Sequence, residues 1–205
     1  MATSIFSISD FKTAIGKPVR PNLFKASLSG WTNSSSDINN QLAAFLASND
    51  VQNIDEFSFR CEKAEFPGRT LATSEDTGGG GPTLKLPYDV TYNDIQLSII
   101  CSEDMKERLF FESWMDSIIA PAGMKSGAGG GGLVSYFEHY ARGISLQVQQ
   151  LNEAGLIIIE YEMHDIYPTA LSAMNATWEE TNSYQRFGVT LSYRHYTYVP
   201  YDYTT

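Results

Sequence analysis

The chain is short of charge, and the charge it has is one-sided. Only 19% of its 205 residues are charged, against roughly 25% in an average soluble domain, and 14 Lys and Arg face 24 Asp and Glu for a net charge of -10. Affinity for a polyanion comes mainly from Lys and Arg displacing counterions, so this balance argues against a protein that grips nucleic-acid phosphates. Long apolar runs are missing as well. The longest, Leu42 to Ala47, has six residues, far short of the roughly 20 that span a bilayer as a helix, and no transmembrane helix is expected. The opening MATSIFSISDFKTAIGK lacks a basic stretch followed by a continuous apolar core and reads as no secretory signal. Cysteine is limited to Cys61 and Cys101, both in apolar strand patterns, where reduced, buried thiols are the expectation. The sequons at Asn33 and Asn175 therefore carry little weight.

Catalytic signatures are absent too. There is no GxSxG elbow, no HExxH and no CxxC. The run GAGGGG at 127–132 satisfies GxGxxG in letter only. Pro121 to Gly123 precede it in place of a strand and no periodic helix follows, so its glycines cannot set a pyrophosphate on a helix N-terminus. GGGG at 78–81 lacks the Lys-Ser/Thr of a phosphate loop. No cofactor and no metal is expected.

What is present is apolar and aromatic: 42% of the chain is hydrophobic and 13% aromatic. A chain of this length buries a large core without staples, and a single domain over 1–205 is expected. Low charge beside many aromatics describes a surface that something else partly covers, or an unusually sticky one. Residues 1–21, ending in Pro18 and Pro21, read as a terminal arm. In an insertion over 31–54, Ile38, Leu42, Phe45 and Leu46 recur at i, i+4, i+7 and i+8 and predict a short helix. From Asp55 the period drops to two: Phe57, Phe59 and Cys61 alternate with Ser58, Arg60 and Glu62 in a strand that Pro67 and Gly68 end.

The glycine-rich 74–82 predicts a flexible hairpin tip, with strands at 83–87 and 92–101 after it. Ser102 as N-cap, followed by Glu103 and Asp104, predicts the principal helix over 103–119. Its apolar set exceeds one stripe and demands cover on more than one side. A second flexible loop occupies 122–135. Ile144, Leu146 and Val148 then alternate with polar residues, the turn Asn152 to Gly155 leads into a strand that Pro168 breaks, and strands at 171–178 and 186–199 close the chain. The sum is mainly β, a sandwich or barrel of about seven or eight strands with one principal helix and an extra short helix in the insertion.

Few residues suggest chemistry. Glu160, Glu162 and His164 fall at i, i+2 and i+4 on one strand and share a face. That spacing suits two catalytic carboxylates or part of a metal site; it suits equally the wet face of a strand whose buried face is Ile159, Tyr161 and Met163. His139 and His195 sit among tyrosines, with no ligand at metal spacing. The closing YRHYTYVPYDYTT sets tyrosines beside Arg194 and His195, a composition that stacks on single-stranded bases or lines a protein interface. The acidic balance favours the interface.

Several stretches are similar, in order, to the inner tail tube proteins of contractile-tailed bacteriophages, which are related to type VI secretion tube proteins. RPNLF at 20–24 resembles the first strand of that family, and Phe59 with Cys61 to Thr70 its strand and turn. KLPYD at 85–89, Tyr92 and Asp94 to Leu97 resemble the strands before its helix, and SEDMKERLFFESWMDSI at 102–118 the helix itself. Tyr140, Ala141, Ile144, Tyr167, Pro168, Trp178 and FGVTLSY at 187–193 follow in the same order. The resemblance implies hexameric rings stacked into a tube inside a contractile sheath, assembled in the host cytoplasm and resident in the virion tail. The tube pierces the host envelope and passes the genome, with no catalysis, cofactor or membrane anchor.

The implied partners are copies of the chain, the sheath protein, the tape measure protein, the baseplate hub or tube initiator and the tail terminator, while DNA transits without specific binding. Assembly candidates on this reading are Arg20, Pro21, Phe24, Phe66, Pro67, Gly68, Arg69, Phe111, Trp114, Tyr167, Pro168, Tyr196 and Tyr198, and Glu160 and Glu162 are the lumen-facing acids. The segments 31–54 and 122–135 depart from the family pattern. They leave open a specialised ring at the baseplate or tube end, or lineage-specific additions on the standard tube; the near alternatives are a tube-initiating baseplate ring or the tube protein of a type VI-like system. A β-sandwich hydrolase or carbohydrate-binding module using Glu160, Glu162 and the tyrosines is the reading from a different class.

Overall fold

The computed structural model describes residues 18–30, 60–76, 83–119, 134–178 and 183–201, with Ile8 and Gly16. Among these residues ten strands and two helices follow in the order β1 (Phe24–Ser29), β2 (Cys61–Ala64), β3 (Arg69–Asp76), β4 (Leu84–Tyr92), β5 (Ile95–Ile100), α1 (Lys106–Ile118), α2 (Phe137–Tyr140), β6 (Ser145–Leu151), β7 (Ile157–His164), β8 (Tyr167–Leu171), β9 (Arg186–Ser192) and β10 (His195–Pro200). The first sheet has the order β1-β6-β7-β10, the second β2-β5-β9-β8, and β3 with β4 makes a separate ribbon. Every pairing is antiparallel. Among the described residues the sheets stay open, as a sandwich and not a closed barrel.

The expected seven or eight strands become ten for identifiable reasons. The segment 186–199 is two strands, β9 and β10, which belong to different sheets and meet at the corner Tyr193–Arg194. Pro168 does not break a strand but lies inside β8; β8 is an edge, where a missing N–H costs no ladder bond, and its register shifts between Pro168 and Ala170. The break falls instead at Asp165, whose φ of 56° turns the chain and whose carboxylate accepts the Gly143 N–H at 3.1 Å. The strand predicted at 171–178 does not form: β8 ends at Leu171, and 172–178 belong to no strand. β3 runs to Asp76, into the predicted loop, and β4 runs on through Pro87 to Tyr92. The helix predicted in 31–54, Phe57, Phe59 and the glycine runs lie outside the described residues.

The principal helix begins at Lys106, with Met105 left-handed at φ 51° as its N-cap. Ser102 does not cap it. Its N–H and hydroxyl both donate to Glu107 Oε2, at 3.0 and 2.9 Å, and the buried Glu107 also pairs with Arg60. At its far end Ile119 bridges Val134, and Ser135 N–H donates to the Ile118 carbonyl, so the end of the predicted 122–135 loop is tied to the helix.

Between the sheets lies one core. Leu28, Leu146, Val148 and Met163 come from the first sheet, Ile95, Leu97, Ile99, Phe187 and Leu191 from the second, and Phe111 and Trp114 from α1. Trp114 donates its indole N–H to the Tyr140 carbonyl at 2.9 Å, and Phe111 meets Phe187 edge-on at 6.1 Å. Gly30, at φ 102°, lies against Gly143 so closely that a Cβ would overlap that residue's carbonyl.

Candidate assembly surfaces and lumen face

The period of two divides the first sheet into unlike faces. Ala26, Leu28, Leu146, Val148 and Met163 point into the core. The register aligns the alternate residues in three rows: Ser29, Ser145, His164 and His195; then Ser27, Gln147, Glu162 and Thr197; then Lys25, Gln149, Glu160 and Val199. Within and between these rows donors and acceptors satisfy one another. Ser29 and Ser145 hydroxyls lie 2.8 Å apart, Ser145 donates to Glu162 Oε1 at 3.1 Å, and Gln149 Nε2 donates to Glu160 Oε2 at 2.7 Å. His164 Nε2 and the Thr197 hydroxyl share a bond of 3.1 Å. The two half-buried carboxylates are thus held from inside the sheet. Among the described residues no group of three or more His, Cys, Asp or Glu is placed to hold a metal.

The edges of the two sheets differ. β1 and β10 are six residues each and pair in unbroken register. In the second sheet, β2 has four residues and a register shift between Cys61 and Lys63, and β8 carries Pro168 with a shift of its own. Short, bulged or proline-bearing strands are how sheets block further pairing; at the edges of the first sheet the described residues offer only Pro200, the last residue of β10, and no register shift. Its β1 and β10 also run in opposite directions, so an antiparallel match of one chain's β10 to another's β1 repeats without limit.

The sequence-selected assembly residues divide sharply. Phe111 and Trp114 are fully buried in their own subunit's core, a correction to their place among the interface candidates: their apolar faces are already covered. Pro168 is buried too, and Phe24 packs half-buried on the core. Tyr167 is half-buried, edge-on to Tyr140 at 5.4 Å and to Phe137 at 6.2 Å. Arg20 and Pro21 are exposed, with Arg20 in a solvent-exposed pair with Glu153 at 3.0 Å. Phe66, 42% exposed, meets Tyr161 edge-on at 5.4 Å. Pro67 and Gly68 are half-buried and Arg69 exposed.

The Gly68 carbonyl accepts the Tyr193 hydroxyl at 3.3 Å, and burial pushes that hydroxyl up to about 12. Tyr196 packs between Tyr92 and Tyr161 at 5.6 and 6.1 Å, while Tyr198 is largely exposed on β10. The aromatic chain from Tyr92 to Tyr198 joins the base of the ribbon to the open edge of the first sheet. Both cysteines are free, and burial pushes the Cys61 thiol up to about 12 and raises that of Cys101 as well.

One surface escaped the sequence reading. On the ribbon Leu71, Leu84, Leu86, Tyr88 and Val90 are all exposed. The alternation of Leu84, Leu86, Tyr88 and Val90 was the available signal, masked by Pro87 in its middle.

A family model described as phage tail tube protein matches residues 19–199. No curated protein matches the chain by sequence. Among solved structures, a chain of the anti-feeding prophage baseplate is 14% identical, with a TM-score of 0.59, and the match covers 90% of this chain and 97% of that one. A chain of the sheath–tube complex of an extracellular contractile injection system is 15% identical, with a TM-score of 0.57 and coverage of 95% and 100%. A chain of the anti-feeding prophage tube-terminating cap is 14% identical, with a TM-score of 0.58 and coverage of 91% and 93%. At such identities these likenesses show a shared fold. The family match runs from ahead of β1 nearly to the end of β10, and on it the chain belongs to the phage tail tube proteins, structural subunits of a tube and not enzymes.

Proposed function

We propose that this protein forms sixfold rings that stack into the inner tube of a contractile tail, and that the polar face of its first sheet lines the conduit for the genome. The contrast in edges carries this reading: one sheet is blunted on both sides, while the other keeps two regular edges of opposite direction, as ring closure through β10 and a neighbour's β1 requires. Closure places the rows of Ser, Gln, Glu and His inside and leaves the β3–β4 ribbon, with its exposed apolar side chains, to reach the next ring. Six chains at -10 carry about -60 per ring, and Glu160 and Glu162 on the lining repel phosphates at the short range that salt allows. DNA then slides without adhering. Partners on this reading are the sheath outside, the tape measure protein within, and baseplate and terminator proteins at the two ends, all in the virion tail. Likeness to chains from a baseplate, a sheath–tube complex and a tube cap of contractile systems supports it. Electron microscopy of the purified protein tests it: sixfold rings and stacked tubes are expected, and a monomer at every concentration overturns it.

A further inference from the structure

The first row of the polar face contains a feature that a merely repellent lining does not need. His164 and His195 stand directly opposite each other across β7 and β10, and their rings stack with centroids 4.8 Å apart and planes 26° from parallel. His195 is exposed, and half-buried His164 is held by Thr197. Imidazole is the side chain that changes charge between pH 5 and 8.

The charged groups around them are few. On β7, Glu162 lies two residues away with its Oε1 on the Ser145 hydroxyl. Asp165 follows His164, but its carboxylate is turned to Gly143 N–H and to Arg194, 3.6 Å away. From β6 the facing residue is Ser145, and from β1 beyond it Ser29, both uncharged. On the three rows one lysine, Lys25, stands against Glu160 and Glu162, so the face is net negative while the imidazoles are neutral and net positive once both are charged.

We propose that the His164–His195 pair is a proton-controlled contact for nucleic-acid phosphates: the face slides past a polyanion at neutral pH and holds it at acidic pH. Repeated around a ring, the pair becomes a band at one end of the bore, and in that setting the inference rests on the lumen assignment above.

The test measures binding of a short fluorescent DNA duplex to the purified protein at about pH 7.5 and about pH 5.5, the range in which imidazole charges. Micrographs of the same samples report assembly independently. Wild type is expected to gain about tenfold or more in affinity on acidification, with the gain falling as salt rises. H164Q/H195Q, which keeps size and hydrogen bonding, is expected to lose that gain while its urea midpoint is unchanged. Should the double variant unfold, His195→Gln alone, at the exposed position, is expected to cut the gain by about threefold. An equal gain in the variants, or none in wild type, overturns the proposal. Absence of rings with the histidine-dependent gain intact overturns the tube reading and leaves the pair standing.

Discussion

The sandwich and the ribbon are built from similar strands and end in opposite states. In the sandwich, Leu146, Met163, Trp114 and their neighbours are at or near 0% exposed, and the polar residues of each strand take the other face. In the ribbon, Leu71, Leu84, Leu86, Tyr88 and Val90 are between 41% and 72% exposed, although β3 and β4 pair along their length. A two-stranded ribbon alone is marginal in water. This one is anchored at its base by the Tyr193 hydroxyl, which donates to the Gly68 carbonyl, and by Tyr92 against Tyr193 and Tyr196. Apolar surface thus does two jobs in one chain. In the sandwich it folds the subunit, and on the ribbon it stays at the surface, where the proposed stacking would cover it.

The most damaging way to probe this division is inside the sandwich. Trp114→Ala removes a fully buried indole that also bonds Tyr140, and is expected to cost about 3–5 kcal/mol in urea unfolding and to abolish rings with it. Gly30→Ala is expected to cost about 2 kcal/mol or more by the same measurement, because it forces a Cβ onto a left-handed backbone against Gly143.

Alkaline titration comes next. Tyr193 rises from 10.0 to about 12 and Cys61 from 9.0 to about 12, both through burial that favours the neutral form. Their contribution is complete below the ordinary values and is lost as pH rises through the folded ones, so the urea midpoint should fall between about pH 9 and pH 12. Tyr193→Phe should flatten part of that fall. The smallest effect on folding is expected on the ribbon. L86S/Y88S should leave subunit stability within about 0.5 kcal/mol while rings fail to stack in micrographs; an equal loss of both would merge the two regions into one.

How much of this was legible depended on range. The alternation of Ile144, Leu146 and Val148 on β6, and of Tyr161 and Met163 against Glu160 and Glu162 on β7, is local, and it assigned the wet face before any pairing was known. The rows across strands were not legible, since the neighbours of Glu162, Gln147 and Thr197, lie 15 and 35 positions away in sequence and only register brings them level. Pro168 misled because a proline stops a central strand but not an edge one. Ser102 misled because its hydroxyl serves Glu107 and not the helix backbone. Phe111 and Trp114 misled for a deeper reason: an aromatic side chain is suited equally to its own core and to a neighbour's, and only the fold decides which covers it.

The opposite directions of β1 and β10 have a consequence for size. In the proposed ring, each subunit that sets its β1 on a neighbour's β10 offers, on its own β10, the same kind of edge it has just occupied, so pairing never tells growth to stop. Closure comes when the last edge meets the first, and the angle turned per subunit sets how many copies that takes. In the proposed ring, six copies of a four-stranded sheet would make a bore whose diameter is fixed by strand number and tilt, so a substitution that changes twist between β10 and the next β1 would alter the width of the channel without touching a residue that lines it.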